Sequence, residues 1–259
     1  MSKGRFPGCK PAFRDKNLCL ICDLIREGQS PFEGKHQEEL TGLGEGGAAP
    51  KGIRWDHQAI CDIIPAGSSV LDLGCGDGEL LSRLIKDKGV QGQGVEKDVE
   101  RVVECIAKGV PVYHADLDEG LAGFPDGFFD YVLLEKTLQV VHKPLFVLEE
   151  MLRVGRAGIV SFPNFGHYGI IASFVRTGRM PITPVLPYRW HDTPNIHLFT
   201  VNDFLDWARA RGVAVEHGLS SADGRVRLFK EEDALQAEEV LFVVSRLSKA
   251  KSKRRLPSS

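Results

Sequence analysis

Three glycines at alternate positions are the strongest chemical feature of the sequence. Residues 70–78 read VLDLGCGDG, so Gly74, Gly76 and Gly78 follow an apolar run that contains Asp72. Glycine suits such a loop because a Cβ would hold a ligand away from the backbone and would oppose the positive φ angles of a sharp turn. The spacing predicts a ligand-binding loop between a strand and a helix, with a tight turn that binds nothing as the alternative.

The type of ligand follows from the residues around this loop. A dinucleotide fingerprint would need a third glycine where the chain has Glu79. Asp77 and Glu79 would also lie near the N-terminus of the next helix, where their negative charge would weaken the attraction for a pyrophosphate. A ligand without phosphate, for example a cationic one, fits better. Downstream, Glu96 ends the next predicted strand, at the position where a carboxylate can accept hydrogen bonds from ribose hydroxyls.

Apolar β-branched runs alternate with amphipathic stretches around this loop. We predict strands at residues 69–73, 91–96, 110–114, 129–135, 157–162, 213–217 and 239–246. We predict helices at residues 55–64, 79–89, 99–108, about 145–154 and 200–212. This alternation requires a mostly parallel sheet with helices on both faces, so the fold class is α/β and doubly wound.

A resemblance to a known family makes the expectation more specific. The glycine loop with Glu96 resembles the class I S-adenosylmethionine-dependent methyltransferases, and further segments resemble the MetW family of methionine biosynthesis. These segments are DLDEGL at 116–121, LQVVH at 138–142, EMLRVGR at 150–156, SFPNFGHY at 161–168, GRMP at 178–181 and TPNIHL at 193–198. The resemblance covers roughly residues 55–225. It implies a Rossmann-like, seven-stranded sheet ordered 3-2-1-4-5-7-6, with the last strand antiparallel.

The resemblance also implies which residues bind S-adenosylmethionine. Those around its amino-acid moiety belong to the glycine loop: Asp72, Gly74, Cys75, Gly76 and Gly78. Glu96 would bind the ribose, and Asp116 with Leu117 would flank the adenine. No universal catalytic residue is expected, because methyl transfer from a sulfonium mainly requires alignment of the reacting groups. Gln139 and His142 follow the fourth strand, where each is either a cofactor neighbour or an ordinary capping or solvated residue.

The N-terminal extension, residues 1–40, contains a candidate zinc site. Cys19 and Cys22 form a C-x-x-C pair, which is half of such a site, and Cys9 with His36 would complete four ligands. Their spacing is irregular, so a redox pair and an inert or disordered extension remain open. Residues 41–52 are a glycine-rich linker, residues 53–247 a methyltransferase-like domain, and residues 248–259 a basic tail that we expect to be disordered.

A long insertion at residues 163–199 follows the fifth strand, at the edge where α/β sheets bind ligands. It is either a substrate lid or a docking surface for another protein. We favour the docking surface, because Tyr168, Tyr188 and Trp190 are large amphipathic side chains of the kind that dominate interfaces. The sequence also shows no convincing general base beside the predicted methyl group. The histidines of the insertion lack paired metal-ligand spacing, so a metal there is not expected.

Composition limits the remaining function classes. The 259 residues include 33 basic and 35 acidic side chains, and this balance disfavours nucleic acid as a partner. No apolar run is long enough for a membrane span, no signal peptide is evident, and the expected compartment is the cytoplasm. The resemblance implies two functions. The chain is an activating or regulatory subunit of homoserine O-acyltransferase, or it is an active methyltransferase on an unknown small molecule.

Overall fold

The computed structural model describes residues 54–247, whose eight strands form one sheet. The strands are β1 (Ser69–Leu73), β2 (Gln91–Glu96), β3 (Val112–His114), β4 (Phe129–Glu135), β5 (Gly155–Pro163), β6 (Val213–Ala222), β7 (Arg225–Leu228) and β8 (Glu239–Arg246). Their order across the sheet is β3-β2-β1-β4-β5-β8-β6-β7. Strands β1 to β5 are parallel, whereas β8 runs antiparallel to both β5 and β6. The predicted doubly wound α/β class is confirmed.

Six α-helices connect or cover these strands. They are α1 (Trp55–Ile63), α2 (Glu79–Lys88), α3 (Val99–Ala107), α4 (Pro144–Val154), α5 (Tyr168–Thr177) and α6 (Val201–Arg211), and the described part of the chain has two short 3-10 helices, Leu117–Glu119 and Glu231–Asp233. Local capping explains why several boundaries are readable from sequence. Asp98 caps α3 through its side chain, and Thr200 forms a capping box with Asp203 at the start of α6.

The predicted count of seven strands is wrong by one. The extra strand, β7, forms a hairpin with β6 through a turn at Asp223 and Gly224, both of which have positive φ angles of 50° and 70°. Asp-Gly is a strong signal for this kind of turn, and the prediction overlooked it. The hairpin also extends β6 beyond the predicted end at residue 217. Apart from β7, the predicted strand order is confirmed.

The sheet separates two apolar clusters. One face packs against α1, α2 and α3, with Ile60, Leu81 and Cys105 fully or almost fully buried there. The other face packs against α4 and α6, around Met151 and Phe204. No helix within residues 54–247 is long and apolar enough to cross a membrane. Because the strand order reverses between β1 and β4, their carboxyl ends flank the crevice in which open α/β sheets bind ligands.

Candidate functional site

The glycine loop joins β1 to α2 and has the backbone conformation expected of it. The φ angles of Gly74, Gly76 and Gly78 are 75°, 54° and 73°. A Cβ on Gly74 would lie 2.7 Å from the side chain of Thr137, and one on Gly78 would lie 2.8 Å from the Cys105 sulfur. At Gly76 no atom lies within 4 Å of the missing Cβ, so the backbone borders open space. Other residue types would therefore be strained at these three positions. At its centre, Gly76, the loop is accessible to a ligand.

The start of α2 already carries negative charge. The Asp77 carboxylate accepts a hydrogen bond from the Glu79 N–H at 3.1 Å and forms an ion pair with Lys108 at 2.5 Å. Partial burial opposes ionisation of Asp77, but the hydrogen bonds from Lys108 and from the Glu79 N–H, together with the positive charge of Lys108, outweigh it and lower the pKa of the carboxyl. A carboxylate thus occupies the helix N-terminus where a pyrophosphate would otherwise bind, as expected from the sequence.

Glu96, the last residue of β2, ties this loop to the start of α3. One carboxylate oxygen accepts the Gly76 N–H at 2.9 Å. The other accepts the N–H groups of Lys97 and Asp98 at 2.8 and 2.9 Å. A carboxylate has about four acceptor positions, so these three bonds leave capacity for a ligand hydroxyl.

Asp116 and Leu117 lie beside the same end of β2. The backbone N–H of Ala115 donates to the carbonyl of Glu96 at 3.0 Å, which brings the segment after β3 next to the loop after β2. Asp116 pairs with Lys97 at 2.6 Å, and this hydrogen-bonded ion pair lowers the pKa of the Asp116 carboxyl. Leu117 is buried. The structure therefore brings these two residues and Glu96 to one side of the crevice.

Asp72 is a buried carboxyl group of the crevice with an oxygen that forms no hydrogen bond within residues 54–247. It is 3% exposed, and the oxygen without a partner there is Oδ1. Burial raises the pKa of its carboxyl well above the usual range, and the negative charges of Glu135 and Glu96 raise it further. Ser161, which pairs with Glu135 in the β4–β5 ladder, is 1% exposed and its Oγ likewise lacks a partner in the described chain. Buried polar atoms without partners call for an explanation, and a bound polar ligand provides one.

Cys75 contributes mainly its backbone to the loop. Its sulfur lies 3.8 Å from the Cys105 sulfur, and a Cβ on Gly94 would approach it to 2.4 Å. The side chain is therefore directed into the core beneath the loop. Burial raises the pKa of the Cys75 thiol, so this cysteine is a packing residue and not a reactive one.

The first turn of α1 covers the crevice with charged residues that the sequence analysis did not single out. His57 Nε2 lies 3.1 Å from a Glu135 carboxylate oxygen, and the Arg54 guanidinium binds both Asp56 and Glu135. Burial disfavours the charge of Asp56, but the hydrogen bond from Arg54 and the positive charges of Lys136 and Arg54 together outweigh it and lower the pKa of the carboxyl. Asp56, His57 and Glu135 place possible metal-ligand atoms within 4.8 Å of one another. The Arg54 guanidinium bridges the two carboxylates, so these residues form one ion-pair network.

The same turn of α1 is held to β8. Lys136, directly after β4, pairs with Glu239 at 2.5 Å, and the Trp55 indole N–H donates to the other oxygen of Glu239 at 2.6 Å. The helix is thus fastened across the carboxyl end of β4 and the amino end of the antiparallel strand β8. The apolar pattern of residues 55–64 predicted a helix packed on the sheet. It did not predict the contacts of Trp55 and Lys136 with Glu239.

The loop after β4 separates the two residues singled out there. Gln139 is buried, and its side-chain N–H donates to the Lys136 carbonyl at 2.6 Å. Its backbone carbonyl accepts the N–H groups of Ile196 and His197. Its Oε1 has no partner in the part of the chain that the structure describes. His142, by contrast, is exposed. Gln139 therefore joins the loop after β4 to the insertion, whereas His142 lies at the surface.

The insertion contains α5, which the sequence analysis did not predict, followed by a stretch without helix or strand. A cavity of about 290 Å³ lies within it, lined by apolar side chains that include Phe165, Met180 and Leu186. Around this cavity Trp190 is 79% exposed and Tyr188 50% exposed. Tyr168 is only partly exposed, because it begins α5 and its ring packs against His167. Of the three predicted anchors, two are therefore freely accessible.

Other predicted features lie outside the described residues. These are the zinc candidates Cys9, Cys19, Cys22 and His36, the linker at 41–52 and the tail at 248–259. The remaining cysteines, Cys61, Cys75 and Cys105, are buried and free.

Comparison with known proteins identifies the family. Residues 54–244 match the family model described as methionine biosynthesis protein MetW. The chain belongs to the MetW family. A bifunctional methionine biosynthesis protein MetXA/MetW from Rhodopirellula baltica is 41% identical over 170 residues, which is 62% of this chain and 27% of the relative. A 2-methyl-6-phytyl-1,4-hydroquinone methyltransferase from Synechocystis is 36% identical over 101 residues, 38% of this chain and 31% of that relative. The chain thus spans less than a third of each of these relatives.

Solved structures similar to the chain share its fold. A possible histamine N-methyltransferase from Thermotoga maritima has a TM-score of 0.53 at 18% identity. The match covers 74% of this chain and 88% of that protein's chain. The [4+2]-cyclase SpnF has a TM-score of 0.55 at 15% identity, covering 88% and 93%. One fold therefore supports different reactions, so the fold alone does not establish methyl transfer by a MetW-family chain.

Proposed function

We propose that this MetW-family chain binds S-adenosylmethionine and acts with homoserine O-acyltransferase in methionine biosynthesis, as an activating or regulatory subunit. The observation that carries the cofactor part is the contact between Gly76 and Glu96. Their 2.9 Å hydrogen bond joins the two predicted ends of one cofactor grip. The unpartnered Oδ1 of buried Asp72 and the open space at Gly76 fit a polar ligand at the same edge of the sheet.

Each group of residues has a separate role in this proposal. The glycine loop and Asp72 would hold the amino-acid moiety of the cofactor, and Glu96 would use its remaining acceptor capacity for a ribose hydroxyl. Asp116 and Leu117 would flank the adenine. When bound, S-adenosylmethionine supplies an electrophilic methyl group on a positively charged sulfur. The cover formed by α1 would exclude water from this group.

Homoserine O-acyltransferase is inferred as the partner from the name of a relative and from an exposed aromatic surface of this chain. The Rhodopirellula baltica relative carries the names MetXA and MetW on one polypeptide, and this chain spans only 27% of it. The exposed Trp190 and Tyr188 beside the 290 Å³ cavity are the proposed contact surface for the acyltransferase. Exposed aromatic side chains next to an apolar recess are typical of interface centres.

A second function is favoured by one observation in the crevice. The His57 imidazole and the Glu135 carboxylate, 3.1 Å apart, form a pair of the kind that accepts a proton from a nucleophile. The alternative is accordingly an active methyltransferase on a small molecule whose nucleophile is deprotonated by this pair.

Calorimetric titration with S-adenosylmethionine tests the cofactor proposal. Glu96→Ala should weaken binding by about 1–3 kcal/mol, because it removes a charge-assisted hydrogen bond. Glu232→Ala, at an exposed position in a 3-10 helix away from the crevice, is the matched control and should not change the affinity. If the unmodified chain shows no binding at millimolar cofactor, the proposed site is wrong.

Co-expression with homoserine O-acyltransferase tests the partner proposal. We expect the two proteins to purify together through a tag on either one, and acyl transfer to differ between the complex and the acyltransferase alone. If they neither co-purify nor affect acyl transfer, the regulatory role is wrong. Methylation of a defined metabolite by the isolated chain, unaffected by the acyltransferase, would establish the alternative.

A further inference from the structure

Helix α3 exposes an apolar face. The side chains of Val99, Val103 and Ile106 are 59%, 60% and 64% exposed. They stand at positions i, i+4 and i+7, so they lie along one side of the helix. Of the nine residues of α3, all of which the structure describes, Cys105 alone is buried. Single apolar side chains on a surface are ordinary, but three large ones in one row on a short helix mark an interaction surface.

The opposite side of α3 supports the glycine loop. The Cys105 thiol donates to the Gly76 carbonyl at 3.1 Å, and the ammonium of Lys108, directly after the helix, donates to the Asp77 carbonyl at 2.8 Å. The helix thus faces the loop with its inner side and solvent with its outer, apolar side. A segment bound to the outer side would hold in place a helix on which the glycine loop rests.

The N-terminal extension contains an apolar row of matching spacing. Leu18, Ile21 and Ile25 stand at positions i, i+3 and i+7, which is the pattern of one helix face. Isolated helices shorter than about 12–15 residues are marginal in water, and the segment that carries this row, residues 16–26, is shorter than that. As a helix it would need an apolar surface to pack on, and the exposed face of α3 is one of similar length.

Charge favours this pairing and disfavours a second copy of the chain on α3. Residues 98–107 contain three acidic side chains and one basic side chain. Lys97 and Lys108, which flank them, are each paired with an acidic residue outside the helix. Residues 1–26 contain six basic and two acidic side chains. Two copies of α3 would bring like charges together, whereas the extension brings the opposite charge.

The connection between the extension and the described fold is long enough for this pairing. Residue 54 leads into α1, which packs on the same face of the sheet as α2 and α3. Residues 27–53 separate this point from the segment. At up to about 3.3 Å per residue they span further than the whole sheet is wide, at about 4.8 Å per strand.

We propose that residues 16–26 bind α3 as a helix, with the apolar row of the extension packed against the apolar row of α3. The pairing uses neither Cys19 nor Cys22, so it does not require the candidate zinc site. It is also independent of the proposed cofactor and partner. The extension then has a role within its own chain, as the cover of the helix beside the glycine loop.

Hydrogen–deuterium exchange of the full-length chain tests the pairing. Val103→Lys places a positive charge in the middle of the apolar face, opposite a basic segment, so amide exchange in residues 16–26 should become at least about tenfold faster. Ile21→Asp should have the same effect on residues 16–26 and should also speed exchange in α3. Val175→Lys is the matched control, because Val175 is 61% exposed on helix α5, and it should change exchange in neither segment.

A double variant sharpens the test. Val103→Lys combined with Ile21→Asp places opposite charges on the two rows, so exchange in residues 16–26 should become slower than in either single variant. Both replaced positions are informative without risk to the fold at α3, since Val103 is exposed there. Exchange in the double variant that is as fast as in the single variants would contradict direct contact between the two rows.

Three further results would overturn the proposal. The first is fast exchange of residues 16–26 in the unmodified chain, which would leave the face of α3 to another protein, the acyltransferase included. The second is slow exchange that persists in Val103→Lys but is lost with a metal chelator, since zinc would then order the extension. The third is a concentration-dependent dimer that dissociates in Val103→Lys and not in Ile21→Asp, because a second copy would then cover α3.

Discussion

The cofactor crevice and the insertion lie at the same edge of the sheet, but they are built in different ways. In the crevice, backbone groups fix the geometry: Glu96 accepts three backbone N–H groups, and the loop depends on glycines with positive φ. In the insertion, residues 178–199 form no helix or strand, and its largest aromatic side chains face solvent. Under the proposed function, the contrast means that the cofactor would be recognised by a preformed site, whereas the protein partner would meet side chains that can still adjust.

Hydrogen bonds fasten the insertion to the rest of the domain near both of its ends. Asn164 fastens the base of the insertion, donating to the carbonyls of Ala234 and Ala237 and accepting from Gly166 and Val201. At the far end, the N–H groups of Ile196 and His197 bind the carbonyl of Gln139. The Gln139 side chain donates to the carbonyl of Lys136, directly after β4, so this residue connects the insertion to the loop that follows β4. A regulatory subunit needs such a link between two sites.

The largest effect should come from adding one methyl group to the glycine loop. Gly74→Ala introduces a Cβ 2.7 Å from Thr137 at a φ of 75°, so the loop must move. We expect roughly 100-fold or greater loss of cofactor affinity by calorimetry, because small displacements in a preformed site are costly. Gly178→Ala is the matched change in the insertion: its φ is 63°, but no atom lies within 4 Å. It should cost only about 1 kcal/mol of stability. Equal losses of affinity in both variants would break the distinction between the regions.

Acid should weaken the insertion through His167. Burial lowers the pKa of this histidine to about 4, although the nearby Asp223 carboxylate partly opposes the shift. In the unfolded chain the pKa is about 6.5, so below that pH the unfolded state binds a proton that the folded state does not. Stability is therefore complete above pH 6.5 and falls by about 3 kcal/mol as the pH approaches 4.

Denaturant unfolding between pH 7 and pH 4 measures this loss. His167→Gln should be less stable at pH 7 but should show a shallower fall with acid. An unchanged slope in that variant would mean that other groups cause the acid sensitivity.

A smaller effect is expected at the partner surface. Trp190→Ala should weaken association with homoserine O-acyltransferase by about 2 kcal/mol and leave the cofactor affinity within about twofold, since truncation of a central aromatic anchor removes much of the contact. Leu228 provides the control, because it is 69% exposed and lies on β7, the strand at the edge of the sheet. Leu228→Ala should change neither affinity when both are measured by calorimetry. If Trp190→Ala left the affinity for the acyltransferase unchanged, the contact surface would have to lie on another part of the chain.

The sequence predicts the crevice better than its cover. The glycine loop, Glu96 and the strands that carry them follow from local patterns, because the positive φ angles and strand alternation are encoded within a few residues. The ion pairs of Arg54 and His57 with Glu135 could not be predicted, since they join residues about 80 positions apart. The isolation of Asp72 likewise depends on which groups the fold places around it. Helix α5 was not predicted within the insertion, which was interpreted only as a substrate lid or a docking surface.

The most direct test of a regulatory role is the affinity between this chain and homoserine O-acyltransferase, measured with and without saturating S-adenosylmethionine. If the cofactor crevice and the partner surface are linked, the two dissociation constants should differ by roughly fivefold or more, and the acyltransferase should change the cofactor affinity by the same factor. Identical dissociation constants, with the cofactor shown to be bound, would contradict the account.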